Sequence, residues 1–131
     1  MATPGLTPPG STGYGGALDF SARTLGGLVN SVETFLTMST TAAQVVGNNA
    51  DRVGLLIMNT GSPQVFISLS NSPSTTQGIL LAGLGGFFSI NVRDDFTLTE
   101  RSWSGIATTG TPSLYVLEII RILSPTQVPS L

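Results

Sequence analysis

From residue 37 onward, no apolar run travels far before turn chemistry stops it. The interruptions are Gly47-Asn48-Asn49, Thr60-Gly61-Ser62-Pro63, Asn71-Ser72-Pro73, the Gly-Leu-Gly-Gly run at 83–86, and Thr109-Gly110-Thr111-Pro112. Gly supplies positive φ, Pro presets φ and removes a donor, and Asn and Ser bond their own backbone, so these clusters reverse a chain. The spaces between them are too short for a packed set of long helices but suit strands. The expected strands are 37–46, 52–59, 64–70, 78–82, 87–93, 102–108 and 113–123. About seven strands at this spacing point to an all-β fold, an antiparallel β-sandwich of jelly-roll or immunoglobulin-like type over residues 37–123.

The side-chain pattern within these segments supports half-buried strands. Val65, Ile67 and Leu69 share one face while Gln64, Phe66, Ser68 and Ser70 take the other; Phe88, Ile90 and Val92 alternate with Ser89, Asn91 and Arg93. The last strand differs, because Leu114, Val116, Ile120 and Ile122 are broken only by Glu118, and Tyr115, Leu117, Ile119 and Leu123 only by Arg121. Leu55-Leu56-Ile57-Met58 is likewise apolar on both sides. In a two-layer sandwich one face of each sheet meets the core, so the second face of these strands needs a cover. The connector that precedes the sandwich, the N-terminal segment or a neighbouring subunit are the three candidates.

Residues 1–36 form an N-terminal arm and connector in this reading. The first 18 residues carry three Pro, five Gly and no charge, which favours neither helix nor regular strand. Solvated disordered tails are usually charged, whereas this one carries Leu6, Pro8, Pro9, Tyr14, Leu18 and, just beyond, Phe20; it reads as an extended docking arm with these as its partner-binding residues. In 25–36 the helical spacing of Leu25, Leu28, Val29, Val32, Phe35 and Leu36 permits a short helix, although Gly26 and Gly27 oppose it and an extended connector is the other option. Residues 124–131 are expected to form an extended C-terminal tail, with Pro125 and Pro129.

Composition then narrows the function. The chain has no Cys and no His, and all five basic residues are Arg. Disulfides, Cys/His metal sites, Ser-His or Cys-His catalysis and lysine Schiff bases are therefore excluded. Five Arg against seven acids, a formal charge of −2, provide no basic footprint for nucleic acid. Only 9% of residues are charged, against roughly 25% in an average soluble domain, and the mean hydropathy is +0.33. A free monomer stays soluble by mixed surface charge, so this composition suits a subunit whose surface is covered in an assembly. The apolar and glycine stretch 79–88 is ten residues and too short to span a bilayer as a helix. The N-terminus has neither the basic start nor the apolar run of a secretory signal, so synthesis without secretion is expected.

Few residues suggest chemistry. Asp94-Asp95 sits in a turn-like RDDFTLTER segment that lacks EF-hand spacing, and a solvated turn paired with Arg93 or Arg101 is expected rather than a cation site. Glu118 stands mid-strand among aliphatic residues; a buried carboxylate is costly unless paired, so Arg52 or Arg121 is its expected partner. Trp103, the only Trp, is assigned to a core or interface, with a ligand-stacking platform as the alternative. No acid, base and nucleophile constellation can be assembled, and neither enzyme activity, metal nor cofactor is expected.

The strings Arg52-Val-Gly-Leu-Leu-Ile-Met-Asn59, Val65-Phe-Ile-Ser68, Gly78-Ile-Leu-Leu81, Trp103-Ser-Gly-Ile-Ala107 and Gly110-Thr-Pro-Ser-Leu-Tyr-Val-Leu-Glu118 together resemble the small β-sandwich structural proteins of tailed-bacteriophage virions, over roughly residues 42–120. The resemblance implies structural roles for Arg52, Asn59 and Glu118, with Asn59 bonding the turn that follows it and Arg52 pairing with Glu118. It implies a non-enzymatic virion protein assembled in the host cytoplasm, a capsid decoration or cement subunit; the arm lies outside the resembling residues, and the physical argument above makes it the segment that binds the major capsid protein or another virion protein. A homo-oligomer, taken as a trimer, and no nucleic-acid or membrane partner are expected. The alternatives are a tail, neck or fibre-base component and, from a different class, a carbohydrate-binding or adhesion module using Trp103.

Overall fold

The computed structural model describes residues 28–122. The arm residues Leu6, Pro8, Pro9, Tyr14, Leu18 and Phe20 and the tail 124–131 lie outside the described residues. By its contacts the chain divides into a larger unit, Ser31–Ile120, and a smaller one formed by Met1–Asn30 with Arg121–Leu131. Of the smaller unit, residues 28–30 and 121–122 are described, and the Ile122 amide donates to the Leu28 carbonyl at 2.8 Å.

Among the described residues, eight strands build two four-stranded sheets. They are β1 (Val29–Thr37), β2 (Ala43–Val46), β3 (Arg52–Asn59), β4 (Val65–Ser68), β5 (Ile79–Leu81), β6 (Phe87–Asn91), β7 (Trp103–Ala107) and β8 (Ser113–Arg121). One sheet has the order β1-β8-β3-β6 and the other β2-β7-β4-β5. Every connection except the β4–β5 hairpin crosses from one sheet to the other. This is the eight-stranded jelly-roll order, which decides between the two sandwich types that the turn spacing allowed.

The eighth strand is a correction to the sequence reading. Residues 29–36 are not part of a connector and hold no helix; they are the edge strand β1, so the sandwich begins before residue 37. Helical spacing was the wrong period for a segment rich in β-branched Val29, Val32, Thr34 and Thr37, which pack well on a pleated surface. Against β8 the working period is two. Thr34 and Leu36 are half-buried, and Leu36 packs on the core, while Glu33 and Phe35 face out. As an edge strand this segment cannot cover the sheet to which it belongs. The 37–46 segment also divides, because Met38 turns inward, its amide bonded to the Pro112 carbonyl at 2.8 Å, and the Ser39 hydroxyl accepts from the Thr41 amide at 3.1 Å to form a turn before β2. The RDDFTLTER stretch forms a single helical turn α1 (Val92–Asp95) followed by a 3-10 turn, Phe96–Glu100.

The core lies between the sheets. Leu55 and Ile57 of β3 and Leu114 and Val116 of β8 meet Val65 and Ile67 of β4, with Leu81, Ile90 and Trp103 closing the ends. These residues alternate with outward ones along each strand, as a sandwich requires. The β5–β6 connection is tight: Leu84 and Gly85 adopt positive φ of 58° and 116°, and their amides donate to the Gly61 and Asn59 carbonyls at 2.7 Å each. The backbone of Ser62 runs directly against Gly83, so that a Cβ there would collide with the Ser62 carbonyl. Gly83→Ala should lower stability by about 1–3 kcal/mol, read as a shifted urea midpoint at unchanged slope; an unchanged midpoint would mean the two turns are not held against each other.

Candidate interaction face and its buried supports

Arg52 is the most buried charged group of the described residues, at 2% exposure. Strand alternation places Val53, Leu55, Ile57 and Asn59 inward, which would turn Arg52 outward. The β3–β8 register slips between Arg52 and Gly54, since Arg52 faces Ile120 while Gly54 faces Ile119. A bulge of this kind re-aims a side chain, and here it leaves both Arg52 and Val53 buried. The guanidinium then reaches four acceptors on three parts of the chain. Nε donates to Glu118 Oε1 at 2.8 Å, Nη1 to the Thr99 and Arg101 carbonyls at 3.0 and 3.1 Å, and Nη2 to the Gly47 carbonyl at 2.7 Å. Of the two partners that the mid-strand position of Glu118 allowed, the structure places Arg52 against it.

Asn59 does the same work at the other end of β3. Its Oδ1 accepts from the Gly61 amide at 3.0 Å, and its Nδ2 donates to the Pro63 carbonyl at 2.7 Å and the Leu81 carbonyl at 3.1 Å. The side chain thus bonds the turn that follows it and also ties that turn to β5. Both buried polar groups are spent on holding loops.

The remaining candidates are placed as follows. Trp103 is 4% exposed and packs on Phe88 with ring centroids 4.7 Å apart. A stacking platform for a ligand needs an open face, so the ligand and interface assignments of Trp103 are corrected to core; its indole N–H meets no acceptor among the described residues. Asp94 and Asp95 are held by Asn91 rather than by Arg93 or Arg101. The Asn91 amide donates to Asp95 Oδ2 at 2.9 Å, Asn91 Nδ2 to Asp94 Oδ2 at 3.2 Å, and the Asp94 amide to Asn91 Oδ1 at 3.0 Å. This is the reciprocal capping of a helical turn. Among the described residues no three Asp or Glu side chains gather as a cation would require.

What sequence reasoning did not assemble is the outer face of the β1-β8-β3-β6 sheet. The register aligns Tyr115, Met58 and Phe87 across β8, β3 and β6. Phe35 of β1 extends this row, its ring 5.5 Å from that of Tyr115. The next row holds Leu117, Leu56 and Ser89, and the one after it Ile119, Gly54 and Asn91. Phe35 and Phe87 are 74% and 63% exposed. A shallow hollow of about 360 Å³ opens on this face, lined by Gly54, Leu56, Phe87, Ser89, Asn91, Leu117 and Ile119, and the Ile119 side chain packs over Gly54 where a Cβ would otherwise stand. The apolar second face of β3 and β8 was the available signal; Phe35 stayed hidden because β1 was read as a connector.

Within Ser31–Ile120, Glu33 is the only charged side chain that alternation places on this face. The Tyr115 hydroxyl donates to Glu33 Oε2 at 2.9 Å. That hydrogen bond raises the Tyr115 hydroxyl above the ordinary tyrosine value of 10.0, with partial desolvation and the negative charge of Glu33 adding in the same direction.

Neither a family model nor a curated protein sequence matches the chain. Among solved structures it is similar to a chain described in the words "Bacillus endospore appendages form a novel family of disulfide-linked pili", with 17% identity, 74% of this chain and 88% of that chain covered, and a TM-score of 0.48. A likeness this distant does not place the chain in a family.

Two measurements check the site. Arg52→Met removes every donor to Gly47, Thr99 and Arg101 as well as to Glu118 and should cost about 3–5 kcal/mol of unfolding free energy. Glu118→Gln keeps an acceptor for Nε and should cost clearly less; the reverse order in chemical denaturation would mean the ion pair, not the loop carbonyls, is the main support. For Tyr115, a folded value above the unfolded one means that the Glu33 bond stabilises fully below the unfolded value and is lost as pH rises through the folded one. In a Tyr14→Phe background, where Tyr115 is the remaining one of two tyrosines, phenolate absorbance should titrate above 10.0 and fall back on adding Glu33→Gln.

Proposed function

We propose that this chain is a non-enzymatic structural subunit of a virion, a capsid decoration or cement protein of the tailed-bacteriophage kind that binds the shell through its N-terminal arm. The observation that carries this reading is how its polar and apolar groups are distributed. Arg52, Asn59 and Glu118 are turned inward to hold loops, and Asp94 and Asp95 cap a helical turn. The prominent outward groups are instead large and apolar: Phe35, Leu84, Phe87 and Phe96. With only 9% charged residues, such a surface is suited to being covered by other subunits.

The arm supplies area at low mass, because an extended segment meets its partner along its whole length and its ordering cost is offset only on docking. Leu6, Pro8, Pro9, Tyr14, Leu18 and Phe20 are the residues assigned to that contact. Removal of residues 1–20 leaves every strand of the sandwich intact, since β1 begins at Val29. The truncated chain should keep the circular-dichroism spectrum and unfolding midpoint of the sandwich and lose co-sedimentation with capsid shells; undiminished binding would overturn the arm assignment.

A further inference from the structure

We propose that the end of the sandwich beside Asn59 is a second foothold on the shell, an uncharged contact that seats on an apolar patch of the shell protein with Leu84 as its anchor. The inference rests on the decoration reading for the choice of partner, and it gives the sandwich itself a part in a contact that the reading assigns to the arm.

The first observation is the distribution of charge. Four connections close this end, β1–β2 (38–42), β3–β4 (60–64), β5–β6 (82–86) and β7–β8 (108–112), and none of them holds an Asp, Glu or Arg. Charge gathers towards the other end: Asp51 and Arg52 open β3, residues 93–101 carry five more charged groups, and Glu118 and Arg121 stand in the second half of β8. Among the described residues only Glu33, midway along β1, departs from this division, and its carboxylate accepts from the Tyr115 hydroxyl. Covering an ion strips away its water, a cost that only a well-placed counter-ion offsets. The end beside Asn59 is the one that a partner covers without that cost. The partner's matching surface must be uncharged too, because its ions would find no counterpart here; the buried centres of interfaces are depleted in charge. An anionic membrane would call for basic residues, and these connections have none.

The second is rigidity. The Leu84 amide donates to the Gly61 carbonyl at 2.7 Å and the Thr60 amide to the Ser113 carbonyl at 3.0 Å, while the Met38 amide donates to the Pro112 carbonyl and the Ala107 amide to the Ser39 carbonyl, both at 2.8 Å. Each connection is thereby tied to a neighbouring one. Gly61 lies so close to Pro112 that a Cβ would collide with it. A surface already fixed in this way loses little conformational freedom on docking.

The third is Leu84 itself. Its φ of 58° lies in the left-handed region, where a side chain is strained and glycine is not. Packing does not explain a leucine there, because at 79% exposure it is the most exposed large apolar side chain among the described residues. Strain of this kind is kept where it serves a site, and here it holds an apolar knob out from the middle of an uncharged end. The end is roughly 20 Å across, too small for a stable interface by itself, so it acts beside the arm. Two linked contacts on one partner bind more tightly than either alone.

The test is co-sedimentation of the full-length chain with capsid shells, titrated to a dissociation constant, together with urea unfolding and light scattering of the free chain. Leu84→Gly should weaken shell binding about tenfold while keeping or raising the urea midpoint, because glycine relieves the strain. A lowered midpoint would make Leu84 a packing residue and overturn the proposal. Thr109→Glu, at an exposed position of the β7–β8 connection, puts an unpaired charge into the contact and should weaken binding to a similar extent. Thr75→Glu, exposed in the β4–β5 connection at the other end, should leave it unchanged. A shell-free oligomer that Leu84→Gly dissociates would give this end to a second copy and overturn the proposal. Shell binding that is lost on removing residues 1–20 but indifferent to Leu84→Gly or Thr109→Glu would sink the foothold and keep the decoration reading. A full-length chain that ignores shells would end both.

Discussion

The burial of one guanidinium organises this sandwich. Leaving Arg52 inside the protein without partners would be far more costly than any single packing contact, so the surrounding backbone must bring it acceptors. Three separate parts of the chain do so: the β2–β3 loop through Gly47, the 3-10 turn and the residue after it through Thr99 and Arg101, and β8 through Glu118. The bulge at the start of β3 is the backbone cost of admitting the side chain. In return, the loops at that end of the sandwich have one shared anchor, and Asn59 provides its counterpart at the other end. Strand β3, central in its sheet, thus carries a buried polar clamp at each terminus and aliphatic residues between them.

With both clamps facing inward, little polar chemistry remains to face outward. The jelly roll buries one face of each sheet against the other, and the outside of an exposed sheet is ordinarily polar. Here the outside of the β1-β8-β3-β6 sheet bears Phe35, Tyr115, Met58, Phe87, Leu56, Leu117 and Ile119. The functional reading follows from that departure, since it concerns the assembly that would cover such a surface.

How much was legible in the sequence depended on whether a residue's fate was local. β3 matches its expected bounds because Asn49-Ala50-Asp51 and Thr60-Gly61-Ser62-Pro63 stop the strand at both ends. The Arg52–Glu118 contact could be anticipated from the cost of a mid-strand carboxylate, with Arg121 as the other option; the bulge that selects Arg52 is a register event with no sequence signature. The error over 29–36 has a clear cause. Val29, Val32, Phe35 and Leu36 fit a helical period, and only pairing with β8, some eighty residues away, makes the period two. Trp103 was ambiguous in sequence because a lone Trp looks the same whether it faces Phe88 or solvent.

By itself, then, the sequence determined the all-β class, the turn positions and the scarcity of catalytic groups, because each follows from residue type and short-range spacing. It also determined that β3 and β8 would be apolar on both sides. The tertiary structure decided which of two sandwich topologies forms, that β1 is an edge strand rather than a cover, and that Phe35, Tyr115, Met58 and Phe87 line up on one face. Those properties arise from registers between strands distant in sequence. A register is set by the fit of whole sheets, not by any residue's own preference.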